Sequence, residues 1–200
     1  MQGGGAHGIV ARWMIDCPQV TTGFPPQQRP MSEEPIASAP EAKTPRESYT
    51  VLAESMMPDQ LNHHGNVFGG VILALVDKCG GVVARRHARL PVVTVSIDRV
   101  EFKEPVYAND FVEAHGRIVY VGRTSMDVLV EVTAEQVETG LRRQTNRCML
   151  TYVALDRLNG KPAPVPPLLL ETDEDRRLHA LALRRRERRK AEAAAEGEEW

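Results

Sequence analysis

Asn62-His63-His64-Gly65-Asn66-Val67-Phe68-Gly69-Gly70-Val71-Ile72-Leu73-Ala74-Leu75-Val76-Asp77-Lys78-Cys79 is the stretch that decides the fold of this 200-residue chain. A polar loop, Pro58 to Asn66, runs into an apolar, Ala-rich segment of helical length, Val67 to Ala88, and Leu90-Pro91 stops it. That helix is apolar on nearly every side, so it needs cover all round. Four strand-like runs after it can supply the cover: Val92 to Glu104, Phe111 to Val121, Thr124 to Glu138 and Arg142 to Leu158, with Ser48 to Met56 a fifth before it.

In the third of these, Met126, Val128, Val130, Val132 and Ala134 fall on one face. In the run from Val92, Val93, Val95 and Ile97 share a face, whereas Val100 and Phe102 fall on the other. A bulge near Asp98-Arg99 reconciles them. Short connections at Gly122-Arg123 and Glu138-Thr139-Gly140 predict antiparallel hairpins. The order implies an α+β domain in which one curved antiparallel sheet wraps around one long central helix.

Outside that domain, composition changes. Residues 1–47 hold half of the fourteen prolines, the Gly3-Gly4-Gly5 run and no hydrophobic periodicity, and read as a disordered leader. Met31-Ser-Glu-Glu is an alternative start of translation. Residues 168–200 are rich in Glu, Arg and Ala, with Leu178, Leu181, Ala182 and Arg185 at helical spacing, and read as a solvated charged helix starting near Thr172. The basic block Arg184 to Lys190 is flanked by acids, which favours solvation over an RNA or membrane contact. The expected domain is therefore 48–167. A net charge of −2 gives no sign of nucleic-acid binding, and no run reaches the ~20 apolar residues of a membrane span. Cys17, Cys79 and Cys148 are odd in number and far apart, and read as free thiols of a cytoplasmic protein. Cys79 sits among core positions with no basic partner nearby to activate it.

One residue of the helix does not fit its apolar run. A carboxylate at Asp77 is costly unless paired or hydrogen-bonded. It either faces solvent, pairing with Lys78 or Arg86, or it does chemistry. Asn62 is either a turn residue or a polar partner, and Gly69-Gly70 let another group approach the unpaired N–H groups of the first helical turn. A polar amide, open N–H donors and a carboxylate are together the parts needed for acyl transfer to water. His63, His64 and His87 lack a carboxylate or cysteine at ligand spacing, so no metal is expected.

These residues are similar to a known family. The blocks Asn62 to Gly70 followed by Asp77, Asp98-Arg99-Val100-Glu101-Phe102-Lys103-Glu104-Pro105-Val106, Gly122-Arg123-Thr124-Ser125-Met126 and Gly160-Lys161-Pro162 resemble the hotdog-fold acyl-CoA thioesterases of the cytosolic (brain-type) acyl-CoA hydrolase group. The chain departs at Gln60-Leu61, where the family often has Asp-Thr or similar. The resemblance implies a hotdog domain that pairs edge to edge as a homodimer, with room for a trimer of dimers, and active sites at the dimer interface. It implies hydrolysis of acyl-CoA to fatty acid and CoA, without a cofactor. Carried over, Asn62 orients the thioester carbonyl or the water, the Gly70 N–H is the oxyanion donor, and Asp77 is general base or nucleophile through a mixed anhydride.

The CoA phosphates need basic or N–H donors. Gly69, at the helix entrance, is a candidate for CoA binding more generally. Arg86, within the cluster Arg85, Arg86, His87 and Arg89, is another, although that cluster also suits a helix C-terminus. The resemblance favours the hairpin residues Arg123, Thr124 and Ser125. Two rival readings stay open. One is a hotdog hydratase or dehydratase, which needs a histidine that this helix lacks before His87. The other is a non-catalytic acyl-CoA-sensing module.

Overall fold

The computed structural model describes residues 41–196. Of the expected leader, 1–47, residues 1–40 lie outside the described residues. Of the described residues, 41–183 form one compact unit, and 184–196 fall in a second.

The elements are α1 (Pro45–Ser48), β1 (Thr50–Ser55), a single 3-10 turn (Pro58–Gln60), α2 (Gly69–Ala88), β2 (Val92–Phe102), β3 (Asp110–Val121), β4 (Ser125–Gln136), β5 (Leu141–Ala154) and α3 (Asp173–Glu196). The five strands make one sheet in the order β1-β3-β4-β5-β2, and each pairing is antiparallel. The β2 strand is thus at an edge although it directly follows α2. The expected inward face of β4, Met126, Val128, Val130, Val132 and Ala134, is fully buried in one core with Ile72, Val76, Cys79 and Val83 of α2. Burying each such side chain is worth roughly 1.5–3 kcal/mol, which is why the sheet closes around this helix.

The α2 helix ends where Arg89 takes a left-handed conformation, φ 57°, its N–H bonding to Arg85 O at 2.8 Å. Pro91 then excludes any continuation. The β2 pairing slips between Asp98 and Glu101, where the alternation of apolar residues demands a bulge, and again between Thr94 and Ser96, which that alternation does not reveal.

Three expectations need correction. The strand from Arg142 stops at Ala154, because Asp156 Oδ1 takes the N–H groups of Leu158 (2.9 Å) and Asn159 (3.0 Å) and turns the chain. Residues 41–47 belong to the fold: Lys43 N–H bonds Pro167 O, Leu169 N–H bonds Lys43 O, and the buried Pro45 opens one helical turn. The tail helix is not solvated throughout. Thr172 Oγ1 accepts from Asp175 N, and beyond this cap Leu178 (3% exposed) and Ala182 (0%) pack on Val119, Leu129 and Met149 of the sheet's outer face.

Candidate active site

The polar loop is a small closed turn. Leu61 and Val67 form a bridge, Asn62 N–H bonds Asn66 O at 2.7 Å, and Gly65 N–H bonds Asn62 O at 3.0 Å. Inside it, Asn62 Oδ1 accepts from the N–H groups of His64 (2.9 Å) and Asn66 (3.3 Å). Both partners are donors, so they fix the oxygen inward, and the Nδ2 donor is the end left for another group. Asn62 is therefore a turn residue, and the turn aims its amide. Phe68 N–H bonds Gln60 O at 2.8 Å, which seats the loop at the entrance of α2.

Gly69 and Gly70 are the first two residues of that helix, where N–H groups have no carbonyl within the helix to bond. A Cβ on Gly70 would stand 2.4 Å from the Phe68 ring, and one on Gly69 3.2 Å from the Phe102 ring. Aromatic rings thus lie close over the backbone of the helix entrance, where a side chain at Gly69 or Gly70 would have to displace them. Phe68 is 60% exposed and Phe102 50%.

Two turns along α2, Asp77 is half-buried and points at the sheet. Its Oδ1 accepts from Thr94 Oγ1 of β2 at 2.7 Å and from the Tyr152 hydroxyl of β5 at 3.2 Å. It forms no ion pair with Lys78 or Arg86 among the described residues. The fully buried Tyr152 also reaches Asp77 O, at 3.0 Å. Burial, then the adjacent Asp77 carboxylate, push the tyrosine hydroxyl far above its usual pKa, so it stays a donor. Sequence reading missed Thr94 and Tyr152. The signal for both lay in the pairing of β2 with β5, which sets Thr94 opposite Tyr152.

No hydrogen bond joins Asn62 to Asp77 among the described residues. The free edge of β2, beside Thr94, carries the exposed Val95 (53%) and Ile97. Cys79 is buried, its thiol donating to Ala114 O at 3.2 Å, and burial pushes its pKa up to about 11. That is a core thiol, as the sequence predicts. His63 and His64 are exposed with ring centroids 3.9 Å apart, and the described residues contain no group of three metal-ligating side chains.

The two sets of CoA candidates are placed differently. Arg86 donates to Tyr49 O (2.9 Å) and Thr50 Oγ1 (3.0 Å), which ties the far end of α2 to β1. Arg123, Thr124 and Ser125 form the β3–β4 hairpin, closed by Gly122 N–H to Ser125 O at 2.8 Å. Arg123 is exposed at the rim of a cavity of about 470 Å³ that Val165, Leu168 and His179 also line. A smaller cavity of about 230 Å³, between Tyr49, His115 and Leu178, contains none of the predicted site residues.

Residues 64–141 match the thioesterase superfamily. The chain is 38% identical over 151 residues to an uncharacterised acyl-CoA thioester hydrolase of Bacillus subtilis, covering 76% of this chain and 87% of the other. It is 33% identical to the cytosolic acyl coenzyme A thioester hydrolase of Rattus norvegicus over 72% of this chain, but spans only 38% of that longer relative. Among solved structures, a hexameric acyl-CoA thioesterase superposes with a TM-score of 0.74 at 40% identity, covering 77% of this chain and 98% of the other. The acyl-CoA hydrolase of Staphylococcus aureus, in complex with butyryl coenzyme A, coenzyme A and coenzyme A disulfide, gives 0.71 at 33% identity, covering 78% and 94%. That hydrolase has also been solved as separate alanine variants of an asparagine, an aspartate and a threonine. In it the aspartate follows the asparagine by 15 residues and the threonine follows the aspartate by 17, the spacing of Asn62, Asp77 and Thr94 here.

Proposed function

The chain belongs to the thioesterase superfamily, among its hotdog-fold acyl-CoA thioester hydrolases, and from this premise we propose that it hydrolyses acyl-CoA with Asp77 as the reacting carboxylate. The observation that carries the assignment is the Asp77 carboxylate. It interrupts an apolar helix, yet two hydroxyl donors hold it at an open sheet edge instead of neutralising it with a cation.

With Oδ1 occupied, Oδ2 takes a proton from water as the water oxygen bonds to the thioester carbon. Alternatively it attacks that carbon itself, and water then opens the resulting anhydride. In both routes the C–S bond breaks and the CoA thiolate leaves, taking up a proton. The carbonyl oxygen receives the Gly70 N–H, whose helix dipole favours developing negative charge, and Asn62 Nδ2 orients the carbonyl or the water. CoA is part of the substrate, and the reaction needs no separate cofactor. Arg123, Thr124 and Ser125 suit its phosphates, with Gly69 near the thioester. Arg86 is the weaker candidate, since its guanidinium already serves β1.

No hydrogen bond joins Asn62 to Asp77 among the described residues, and β2 presents apolar side chains on an edge of the sheet that no other strand pairs. Both features support an edge-to-edge dimer in which one subunit supplies Asn62 and the other Asp77. The hexameric solved relative supports a further assembly as a trimer of dimers. The cytosolic rat relative supports a cytoplasmic site of action, and no helix among the described residues is long and apolar enough to cross a membrane.

The test is release of free thiol from a panel of saturated acyl-CoAs by the wild-type chain and by Asp77→Ala. Hydrolysis by the former and its near-abolition in a variant that keeps the same assembly is the expected result. Retained turnover in Asp77→Ala removes Asp77 from this role, and no thiol release from any chain length by the wild type leaves the sensing module.

A further inference from the structure

We propose that Tyr152 is a positioning residue of the reaction, and that Gly80 is glycine in order to let its hydroxyl reach Asp77. The inference rests on Asp77 as the reacting carboxylate, and adds what holds that carboxylate in one orientation.

Tyr152 is the largest fully buried side chain among the described residues. Phenylalanine would fill the same volume without bringing a hydroxyl into the core, where an unpaired one is costly. The hydroxyl has two acceptors, and both belong to one residue: Asp77 O at 3.0 Å and Asp77 Oδ1 at 3.2 Å. Thr94 Oγ1 donates to the same Oδ1 at 2.7 Å. Two donors from neighbouring strands thus converge on one carboxylate oxygen, and Oδ2 has no hydrogen-bond partner among the described residues. A carboxylate pinned through one oxygen cannot rotate freely, so the other oxygen is presented in a fixed direction. That is pre-organisation of a reacting group, to which Tyr152 contributes from a fully buried position.

The helix makes room for this arrangement. Gly80 lies three residues beyond Asp77, on the same face of α2. A Cβ there would stand 2.4 Å from the Tyr152 hydroxyl oxygen and 3.1 Å from the ring carbons Cζ and Cε2. Glycine inside a helix sacrifices helix stability relative to alanine. At this position the sacrifice has a visible return, because the crowding falls chiefly on the oxygen that bonds Asp77.

The experiment measures kcat and KM with butyryl-CoA for Tyr152→Phe, Gly80→Ala and the double variant, beside Asp77→Asn and Thr94→Val. Tyr152→Phe is expected to lower kcat roughly tenfold and to leave KM within about twofold, because only the presentation of the carboxylate changes. Gly80→Ala alone should lower kcat to a similar extent, whereas in the Tyr152→Phe background, where the hydroxyl it displaces is gone, it should add little. Tyr152→Phe combined with Thr94→Val should lose more than the product of the two single losses, since both pins are then gone.

Wild-type kcat in Tyr152→Phe overturns the inference. So does an equal loss from Gly80→Ala in both backgrounds, which would make it a packing effect. If Tyr152→Phe does not fold, Gly80→Ala and its KM-against-kcat split decide alone. Failure of the underlying assignment looks different: Asp77→Asn then keeps its turnover, and both ideas fall together. An inactive Asp77→Asn beside a fully active Tyr152→Phe removes only the role of Tyr152.

Discussion

The two halves of α2 have nearly the same apolar composition and opposite fates. In the C-terminal half, polar groups are tied to neighbours. Arg86 holds Tyr49 O and Thr50 Oγ1, the buried His87 bonds Pro166 O at 2.8 Å, and Lys43 Nζ caps His87 O at 2.8 Å. In the N-terminal half, glycines stand under exposed aromatic rings, and Asp77 Oδ2 has no hydrogen-bond partner among the described residues. Side chains tied to neighbouring segments make a structural end, even though the buried Nδ1 of His87 has no partner among the described residues, and groups left open make a reactive one. The contrast predicts that substitutions at the first end change stability and those at the second change turnover.

Asp77 is where that contrast breaks most sharply. Asp77→Ala should cost 10²- to 10⁴-fold in kcat/KM, the usual range for a positioned base, and change the thermal midpoint little, since the residue is only half-buried. A large loss of stability with retained specific activity would make both ends of the helix structural. Next in size is Gly70→Ala. Its Cβ would press on the Phe68 ring, which is exposed and able to swing away, so the fold should survive. Alanine even favours the helix by about 1 kcal/mol. Turnover should nevertheless fall about tenfold, because the ring is driven into the space where the carbonyl has to meet the N–H. A more stable and equally active Gly70→Ala would dissociate the helix entrance from the chemistry.

How much of this contrast the sequence reveals depends on how local its cause is. The helix, the alternation of β4 and the Asp98 bulge are written in periods of 3.6 and 2, which neighbouring residues determine. Asp77 stands out because it interrupts such a period. Asn62 could be named, but the fixing of its Oδ1 by His64 and Asn66 is a matter of turn geometry. Thr94 and Tyr152 were invisible because their meaning lies in a pairing between strands some sixty residues apart. The burial of Leu178 and Ala182 was missed for a related reason. Their stripe is short within a charged helix, and the face it covers belongs to β3, β4 and β5.

A smaller effect is expected at Arg86, and it separates the two roles considered for that residue. Its guanidinium makes two hydrogen bonds at the start of β1, one to the Tyr49 carbonyl just before the strand and one to Thr50 Oγ1. Arg86→Ala should lower stability by about 1 kcal/mol, read as a fall in the denaturant midpoint, and leave KM for acyl-CoA unchanged. A severalfold rise in KM without loss of stability would move Arg86 to the phosphates of CoA and open the end of the helix regarded here as closed. Arg123→Ala is the control, with the opposite pattern expected.

The smallest effect is a pH dependence confined to the closed end. His87 is fully buried, and burial lowers its pKa below the ordinary 6.5, with Lys43 adding to the shift and the Pro166 carbonyl and Glu47 opposing it. Neutral imidazole is therefore the form the fold holds, with Nε2–H donating to Pro166 O. The unfolded chain binds a proton at His87 more readily, so it gains protons first as the pH falls. Stability is then full above about pH 6.5 and is lost as the pH drops below it toward the lower folded-state pKa. Replacing the ring by Gln, which can still donate to Pro166 O, should flatten that part of the stability curve between pH 7 and 5, measured by denaturant unfolding. Because His87 lies ten residues beyond Asp77, the pH profile of turnover should keep its shape in His87→Gln. If the turnover profile moves together with the stability curve, the two ends of α2 are coupled, and the division of the helix into a structural half and a reactive half does not hold.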